Sequence, residues 1–461
     1  MKAKFIFTPI IVLAFFFVTA CSDSSSGTSS DDSKELKQYS NQLLNLPTNQ
    51  RRVDEGFWNN ALYNVWQGIK ARNIDGYGTG LIHRPKSETP GDAVSEGVGY
   101  GMLVSLFSND QETFNKIWEA GNSHMWGSCY YNWQVGPTGR VIGRGAATDA
   151  EEDIALALIF ADKLVKAGKW SEYSSPTAGA YIDHAKKIMN CMWSTKQITS
   201  SGIIAPGAGW GGNDFVNPGY FSPAWYKIFA EYDSGHNWKS VVDQSYAILA
   251  NSVGYEFGLI PDWMTPAGGF AGSGLGYNAY GDGLYCFKDA IRSLWRVAID
   301  AVWFDEPRAI SLLTNAMNFI NSKGGAPAAN FYQTDGNLVP AEDIWDTWND
   351  GATPRPRQEH SHLTIGMWAT AAVAAGSDDD LKSFSTEMAK FYDGEGKDYF
   401  GNAVDPLGGT EDTLHNEMYF DQFLAWFGAS MMSGAFLNVV DAIDHPQTNA
   451  GSIYTDLSYE D

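Results

Sequence analysis

Residues 92–104 read Asp-Ala-Val-Ser-Glu-Gly-Val-Gly-Tyr-Gly-Met-Leu-Val. Ser95 is placed to N-cap a helix, which puts Glu96 in its first turn. Gly97, Gly99 and Gly101 then fall at alternate positions. Each internal glycine costs about 1 kcal/mol relative to alanine, so the run needs a compensating reason. Close helix packing is one, and a backbone that a ligand can approach is another. A carboxylate on a glycine-thinned helix start is the leading candidate site of the chain. A capped helix with a solvated Glu is the plain alternative for this stretch by itself.

Outward from this helix, hydrophobic periodicity is helical along most of the chain. It predicts helices over 54–72, 95–107, 111–120, 149–167, 178–192, 222–232, 238–252, 289–304, 307–321, 360–375, 378–392 and 417–437, with few strands. The intervening loops 125–145, 207–218 and 254–287 are rich in Gly, Trp and Tyr. No short repeat marks a solenoid. Twelve helices in one up-and-down chain close into a ring of six hairpins. In such a ring the even helices start at the same end, beneath the long loops, where function usually sits.

The chain has 461 residues, 44% hydrophobic and 18% charged, with 17 Trp, 22 Tyr and 25 Phe. No linker divides the region after residue 36, so one catalytic domain over 36–443 is expected, with a loose tail over 444–461. Thirty-one Lys and Arg against 54 Asp and Glu give a formal charge of -23. That excludes nucleic acid, which requires a basic face, and disfavours anionic polysaccharides. Trp and Tyr also stack on flat apolar ligand faces, so a neutral ligand fits best.

Lys2 and Lys4 precede an apolar run, Phe5–Val18, that ends in Thr19-Ala20-Cys21. The run is short for a membrane span and fits a signal peptide over 1–20. Cys21 at this place resembles the lipidated cysteine of bacterial lipoproteins. Residues 21–35 would be the lipidated cysteine and a disordered Ser-rich spacer. The expected location is the cell envelope, with the lipid as the sole membrane contact; secretion after cleavage near Ala20 is the alternative. Cys129, Cys191 and Cys286 form neither a disulfide framework nor a zinc pattern. One bridge is open to them, but buried thiols are the expectation. His360 and His362 are read as ordinary polar contacts, and no metal or cofactor is expected.

Glu96, Asp149 and Asp289 stand at the starts of the second, fourth and eighth helices, so the ring places them at one mouth. Acids at helix starts also complement the macrodipole. That plain reading is taken for Glu151, Glu152 and Asp153, while both readings stay open for Asp149 and Asp289. Two carboxylates across a cleft lined with Trp and Tyr point to glycoside hydrolysis, in which one acid protonates the leaving oxygen. Such an acid needs burial or a like-charge neighbour to keep its proton, and Asp149 is the candidate neighbour of Glu96.

At these residues the chain resembles glycoside hydrolase family 8, in its cellulase-type branch. The segments that carry the resemblance are Val94–Leu103, Gly145–Lys163, Trp210–Lys227 (with Asn-Pro-Gly-Tyr-Phe-Ser-Pro-Ala-Trp-Tyr-Lys), Gly258–Trp263 and Asp289–Phe304. The resemblance spans about Val53 to Leu437. It implies an all-α (α/α)6 barrel and net inversion without a catalytic metal. It gives Glu96 as general acid, Asp289 as general base and Asp149 as the residue that holds the sugar at the cleavage point. Trp133 and Trp210 match aromatic platforms, Arg292 a cleft arginine near the base, and Tyr419 a sugar-stacking tyrosine.

Three departures stand out: Glu151 where the family usually has Asp, Lys288 before the base where relatives tend to have an aromatic, and a long segment Gly401–Asn416. The resemblance implies an inverting endo-β-1,4-glucanase, and a monomer is expected. Its two carboxyls would lie roughly 6.5–9.5 Å apart to admit a water. The alternatives are the same mechanism on xylan, mixed-linkage β-glucan or chitosan, and a non-catalytic glycan-binding surface lipoprotein.

Overall fold

The computed structural model describes residues 43–44, 46–48, 50–85, 87, 89–269, 271, 285–286, 289–340, 345–346, 355–356, 360–392, 398–401 and 419–446. They contain thirteen α-helices and only short strands. The helices are α1 (Glu55–Ile69), α2 (Ser95–Phe107), α3 (Gln111–His124), α4 (Thr148–Lys166), α5 (Tyr181–Ser194), α6 (Pro223–Tyr232), α7 (Trp238–Ala250), α8 (Arg292–Phe304), α9 (Pro307–Lys323), α10 (His362–Ala375), α11 (Asp378–Ala389), α12 (Tyr419–Met432) and α13 (Val439–Asp444).

The even helices α2 to α12 form an inner ring. Each packs on its neighbour in turn, and Tyr100 of α2 closes the circle against Phe423 and Phe427 of α12, with ring centroids 5.8 and 5.2 Å apart. The odd helices α1 to α11 form the outer ring, each against an inner partner, and the short α13 packs on α4. The fold is an (α/α)6 barrel. Composition explains the two layers. In α2 every residue except Glu96 is buried, and in α10 twelve successive residues from His362 are, as helices surrounded on all sides require. Outer helices such as α5 bury one face only: Tyr181, His184, Ala185, Ile188, Met189 and Met192, with Cys191. An aromatic plug fills the ring's interior. Trp295 stacks on Phe427 at 4.4 Å and Trp225 on Trp303 at 5.4 Å, with Phe436 against Trp295 and Trp303.

Several expectations change. Ser95 is the first residue of α2 and Val94 occupies the N-cap. The first helix ends at Ile69 and continues as a π-turn, Lys70–Asp75, instead of running on as α-helix to Arg72. Asp289 lies in the turn before α8, which starts at Arg292. Cys129 and Cys191 are bridged, with Cα atoms 5.4 Å apart, and among the described residues only Cys286 is a free thiol, and it is buried. Glu151, Glu152 and Asp153 do more than complement the macrodipole: all three are fully buried. They are inward-facing members of polar networks: Tyr131 N donates to Glu151 (2.9 Å), Tyr226 OH to Glu152 (2.8 Å) and Trp225 Nε1 to Asp153 (2.8 Å).

The glycines of α2 serve packing. A Cβ at Gly97 would lie 3.2 Å from the Ile82 side chain, one at Gly101 2.8 Å from it, and one at Gly99 2.7 Å from Asp153 Cβ. Residues 1–42 and 447–461, with Cys21 and all of the expected tail but 444–446, lie outside the described residues, as do Lys288 and 402–418; Asp444 ends a helix instead of opening the tail. Among the described residues no helix is long and apolar enough to cross a membrane.

Gly99→Ala should destabilise the fold by about 1–3 kcal/mol, as overpacking does, measured by urea denaturation. Reducing the Cys129–Cys191 bridge should cost about 2–4 kcal/mol, read as a lower melting temperature in dithiothreitol.

Candidate active site

Strand Asp92–Val94 runs directly into α2 and fixes where Glu96 emerges. Its anchor is Asp92, fully buried, which accepts from Arg84 Nε (2.8 Å) and Nη2, Ser87 Oγ (2.8 Å) and Gln134 Nε2 (2.6 Å). These bonds join it to strands His83–Arg84 and Gln134–Val135, which flank it in one small sheet. Ser95 N donates to Trp133 O (3.0 Å), so the Trp133 loop is pinned to the start of α2. At α4, Thr148 Oγ1 donates to Ala205 O (2.6 Å) and sets the first turn that carries Asp149. The Asp289 turn is held from two sides. Asp262 Oδ1 accepts from Ala290 N (2.8 Å). Gly219 lies flat on the same peptide; a Cβ there would meet Asp289 O at 2.1 Å.

The three elements converge on Arg292. Its Nη1 donates to Glu96 Oε2 (2.5 Å), Asp149 Oδ2 (3.0 Å) and Tyr100 OH (2.9 Å), and its Nη2 pairs with Asp289 Oδ1 (3.3 Å). The guanidinium lies over the rings of Tyr220 (4.8 Å) and Phe420 (5.7 Å). Tyr419 OH donates to Glu96 Oε1. All four residues that the sequence singled out at this mouth, Glu96, Asp149, Asp289 and Arg292, are therefore brought together, with Tyr419 beside them. Tyr419 touches the carboxyl of Glu96 directly, a contact the sugar-stacking match does not include.

Burial is graded: the side chains of Asp149 and Arg292 are each 1% exposed, that of Glu96 16% and that of Asp289 24%. Burial pushes Asp149 up to about 7; Glu96 and Asp153 add to the rise, and Arg292 and Arg296 oppose it. Burial works against the charge on Arg292, but Tyr100, Asp149, Glu96 and Asp289 hold it well above the ordinary arginine range. Burial and the neighbouring Glu96 push Tyr419 well up, so it stays a donor. One guanidinium cannot neutralise three carboxylates, so the cluster keeps a proton near neutral pH.

Trp133 is 37% exposed and Trp210 45%. The Trp133 ring lies against Gly143, where a Cβ would come within 2.4 Å of it, and Trp210 meets Trp263 and Phe215 edge-on at 5.6 and 5.1 Å. Eight of the other tryptophans, including Trp58, Trp225 and Trp426, are fully buried core. Sequence reasoning missed Tyr100, Tyr220, Phe420, Asp92 and Asp262. Tyr100 carried a signal, since it lies one turn after Glu96 on the same face. His360 spends its ring nitrogens on Ala329 O (2.8 Å) and Glu387 (3.1 Å), as ordinary polar contacts.

Carboxylates gathered on one buried arginine at inner-helix starts of an (α/α)6 barrel are the arrangement of a glycoside hydrolase. Residues 57–337 match the sequence profile of glycosyl hydrolases family 8, and the chain belongs to that family. Endoglucanase 2 of Ruminiclostridium josui is 31% identical over 353 residues, 75% of this chain and 69% of that one. Endoglucanase A of Acetivibrio thermocellus is 32% identical over 74% of this chain and 66% of its own length. Among solved structures, the apo β-1,3-1,4-glucanase of Paenibacillus sp. X4 superposes with a TM-score of 0.64 at 19% identity, over 85% of this chain and 96% of that one. Rex8A of Paenibacillus barcinonensis, complexed with xylose, gives 0.61 at 21%, over 83% and 94%.

A carboxyl raised from 3.8 to about 7 binds its proton more tightly folded than unfolded. Its contribution to stability is full below pH 3.8 and is lost as the pH rises through 7. Asp149→Asn should therefore gain stability relative to the parent at pH 8, on the order of 4 kcal/mol, and lose that gain at pH 4. Thermal melts at the two pH values check it.

Proposed function

We propose that the protein is an inverting endo-β-1,4-glucanase acting on cellulose or a related β-glucan. The observation that carries this reading is the pairing of Glu96 and Asp289 with different nitrogens of the same buried Arg292. That pairing puts two carboxyls at one opening, with exposed Trp133 and Trp210 as sugar platforms. Glu96, protonated, gives its proton to the glycosidic oxygen as the bond to C1 breaks. Asp289, the more exposed carboxylate, takes a proton from a water whose oxygen bonds to C1 from the opposite face. The water's second proton stays on the new hydroxyl, and solvent exchange restores the two carboxyls. Asp149, with buried Oδ1 unpartnered among the described residues, is assigned to gripping a sugar hydroxyl at the cleavage point. Its proton affinity keeps the acid cluster from being fully ionised. Arg292 orients all three acids, and Tyr419 holds the acid's far oxygen.

The endoglucanases of Ruminiclostridium josui and Acetivibrio thermocellus support a glucan as the substrate. The reducing-end xylose-releasing exo-oligoxylanase of Paenibacillus barcinonensis, 26% identical over 46% of this chain, is the ground for testing xylan beside it. Export with a lipid anchor at Cys21 is part of the proposal. The Cys129–Cys191 bridge supports it, because such bridges persist in oxidising compartments. A monomer at the cell envelope with no nucleic-acid partner completes the reading.

Soluble cellulose derivatives, mixed-linkage β-glucan, xylan and chitosan, with product analysis, should show cleavage strongest on the β-glucans. Proton NMR of the first products should show the α-anomer; a β-anomer would exclude inversion. Glu96→Gln should lose more than about 1,000-fold in kcat while still binding cello-oligosaccharides, as removal of an essential acid requires. Retained turnover would refute the acid assignment.

A further inference from the structure

Beneath the carboxylate cluster lies a second polar layer that the reaction does not use. Glu96 and Tyr100 on α2, Asp149 and Asp153 on α4, and Arg292 and Arg296 on α8 are three pairs four residues apart. Each pair spans about 6 Å along its helix, so the second members form a lower tier under the first. Arg296 Nη2 donates to Asp153 Oδ2 (2.8 Å), and Nη1 to Oδ1. Trp225 Nε1 donates to Asp153 Oδ1 (2.8 Å). Arg296 lies over Trp295 (4.4 Å) and Trp225 (5.6 Å), and both ions are fully buried. Tyr100 OH, bonded to Arg292 Nη1, joins the two tiers.

A buried ion pair is a weak source of stability, because desolvation takes back most of the attraction, and apolar residues of similar volume are often as good. Its place in the fold gives this one a different use. We propose that Asp153 and Arg296 are positioning residues for catalysis: they fix α4 and α8 in register so that Asp149 and Arg292 meet Glu96, and they present a balanced charge to the acids above. The charged and titratable groups that act on those acids are Tyr100 from α2, Glu151 and Asp153 from α4, Arg292 and Arg296 from α8, Tyr419 from α12, Arg84 from its strand and Asp289 from the turn before α8. Of these, Asp153 and Arg296 are the pair whose charges cancel directly below Asp149; Asp153 raises its proton affinity and Arg296 lowers it.

The proposal rests on Glu96 as the general acid, and its test is the basic limb of the kcat/KM–pH profile on a soluble β-glucan. Asp153→Asn leaves the Arg296 charge unbalanced, so the acids lose their proton sooner and the limb should move down by about one pH unit. Asp153→Asn with Arg296→Met restores neutrality, and the limb should return towards the parent's. A purely structural pair would lower kcat in both variants without that reversal. A limb that stays in place in folded Asp153→Asn, or that moves as far in the double variant, overturns the proposal while leaving the acid assignment intact. Turnover retained by Glu96→Gln overturns both. Should Asp153→Asn fail to fold, Arg296→Lys keeps the charge and loses the fork. It should lower kcat several-fold at unchanged KM and unchanged pH limbs, and an unchanged kcat overturns the proposal.

Discussion

The Arg292 guanidinium is the constraint on which the site depends. It is buried, it is always charged, and it takes up Glu96, Asp149 and Asp289 together. Without it, three acids from separate elements would repel one another at the ring's opening. With it, they are held on one guanidinium, two cations short of full neutralisation. That shortage leaves a proton in the cluster. A helix start favours the charged form of an acid, which by itself would strip the proton from a general acid. The proton that remains is held by Asp149, whose affinity burial and the nearby Glu96 raise, and the two acids meet only because Arg292 gathers them.

The barrel supplies what the arginine cannot. Lower in the ring, Trp225, Trp295, Trp303, Phe427 and Phe436 pack face to face and edge to face, filling the space between inner helices with rigid apolar volume. Water is kept from the underside of the charged layer, so the acids feel a low dielectric from below and solvent from above. The graded exposure from Asp149 through Glu96 to Asp289 follows from this. Burial raises the proton affinity of Asp149, the most enclosed of the three, while Asp289 is the most open to water.

Much of this was legible in the sequence, and the reasons differ by residue. The ring was readable because helical periodicity is local and the connection lengths alternate. Glu96, Asp149, Asp289 and Arg292 were readable because each sits at or near an inner-helix start in a long motif. The burial of Glu151, Glu152 and Asp153 was not. A helix start rich in acids has the same sequence whether it faces water or a partner's arginine, and the partners Arg296, Tyr226 and Tyr131 are 20 to 143 residues away. The Cys129–Cys191 bridge was hidden for the same reason, since a separation of 62 residues carries no local pattern. Asp262 was invisible because its work is done on the backbone of Ala290.

The glycines of α2 bring these strands together. Their cost in helix propensity is real, and a ligand passing close to the backbone was one of two ways to offset it. The Cβ positions favour the other: Gly99 meets Asp153, and Gly97 and Gly101 meet Ile82. Yet the packing serves the site. A side chain at Gly99 would push α4 away from α2, and with it Asp149 from Glu96. Arg292 would then have to choose between two carboxylates instead of joining them. The glycine thinning that marked this helix as functional is thus linked to function through the distance between two inner helices, not through contact with a sugar.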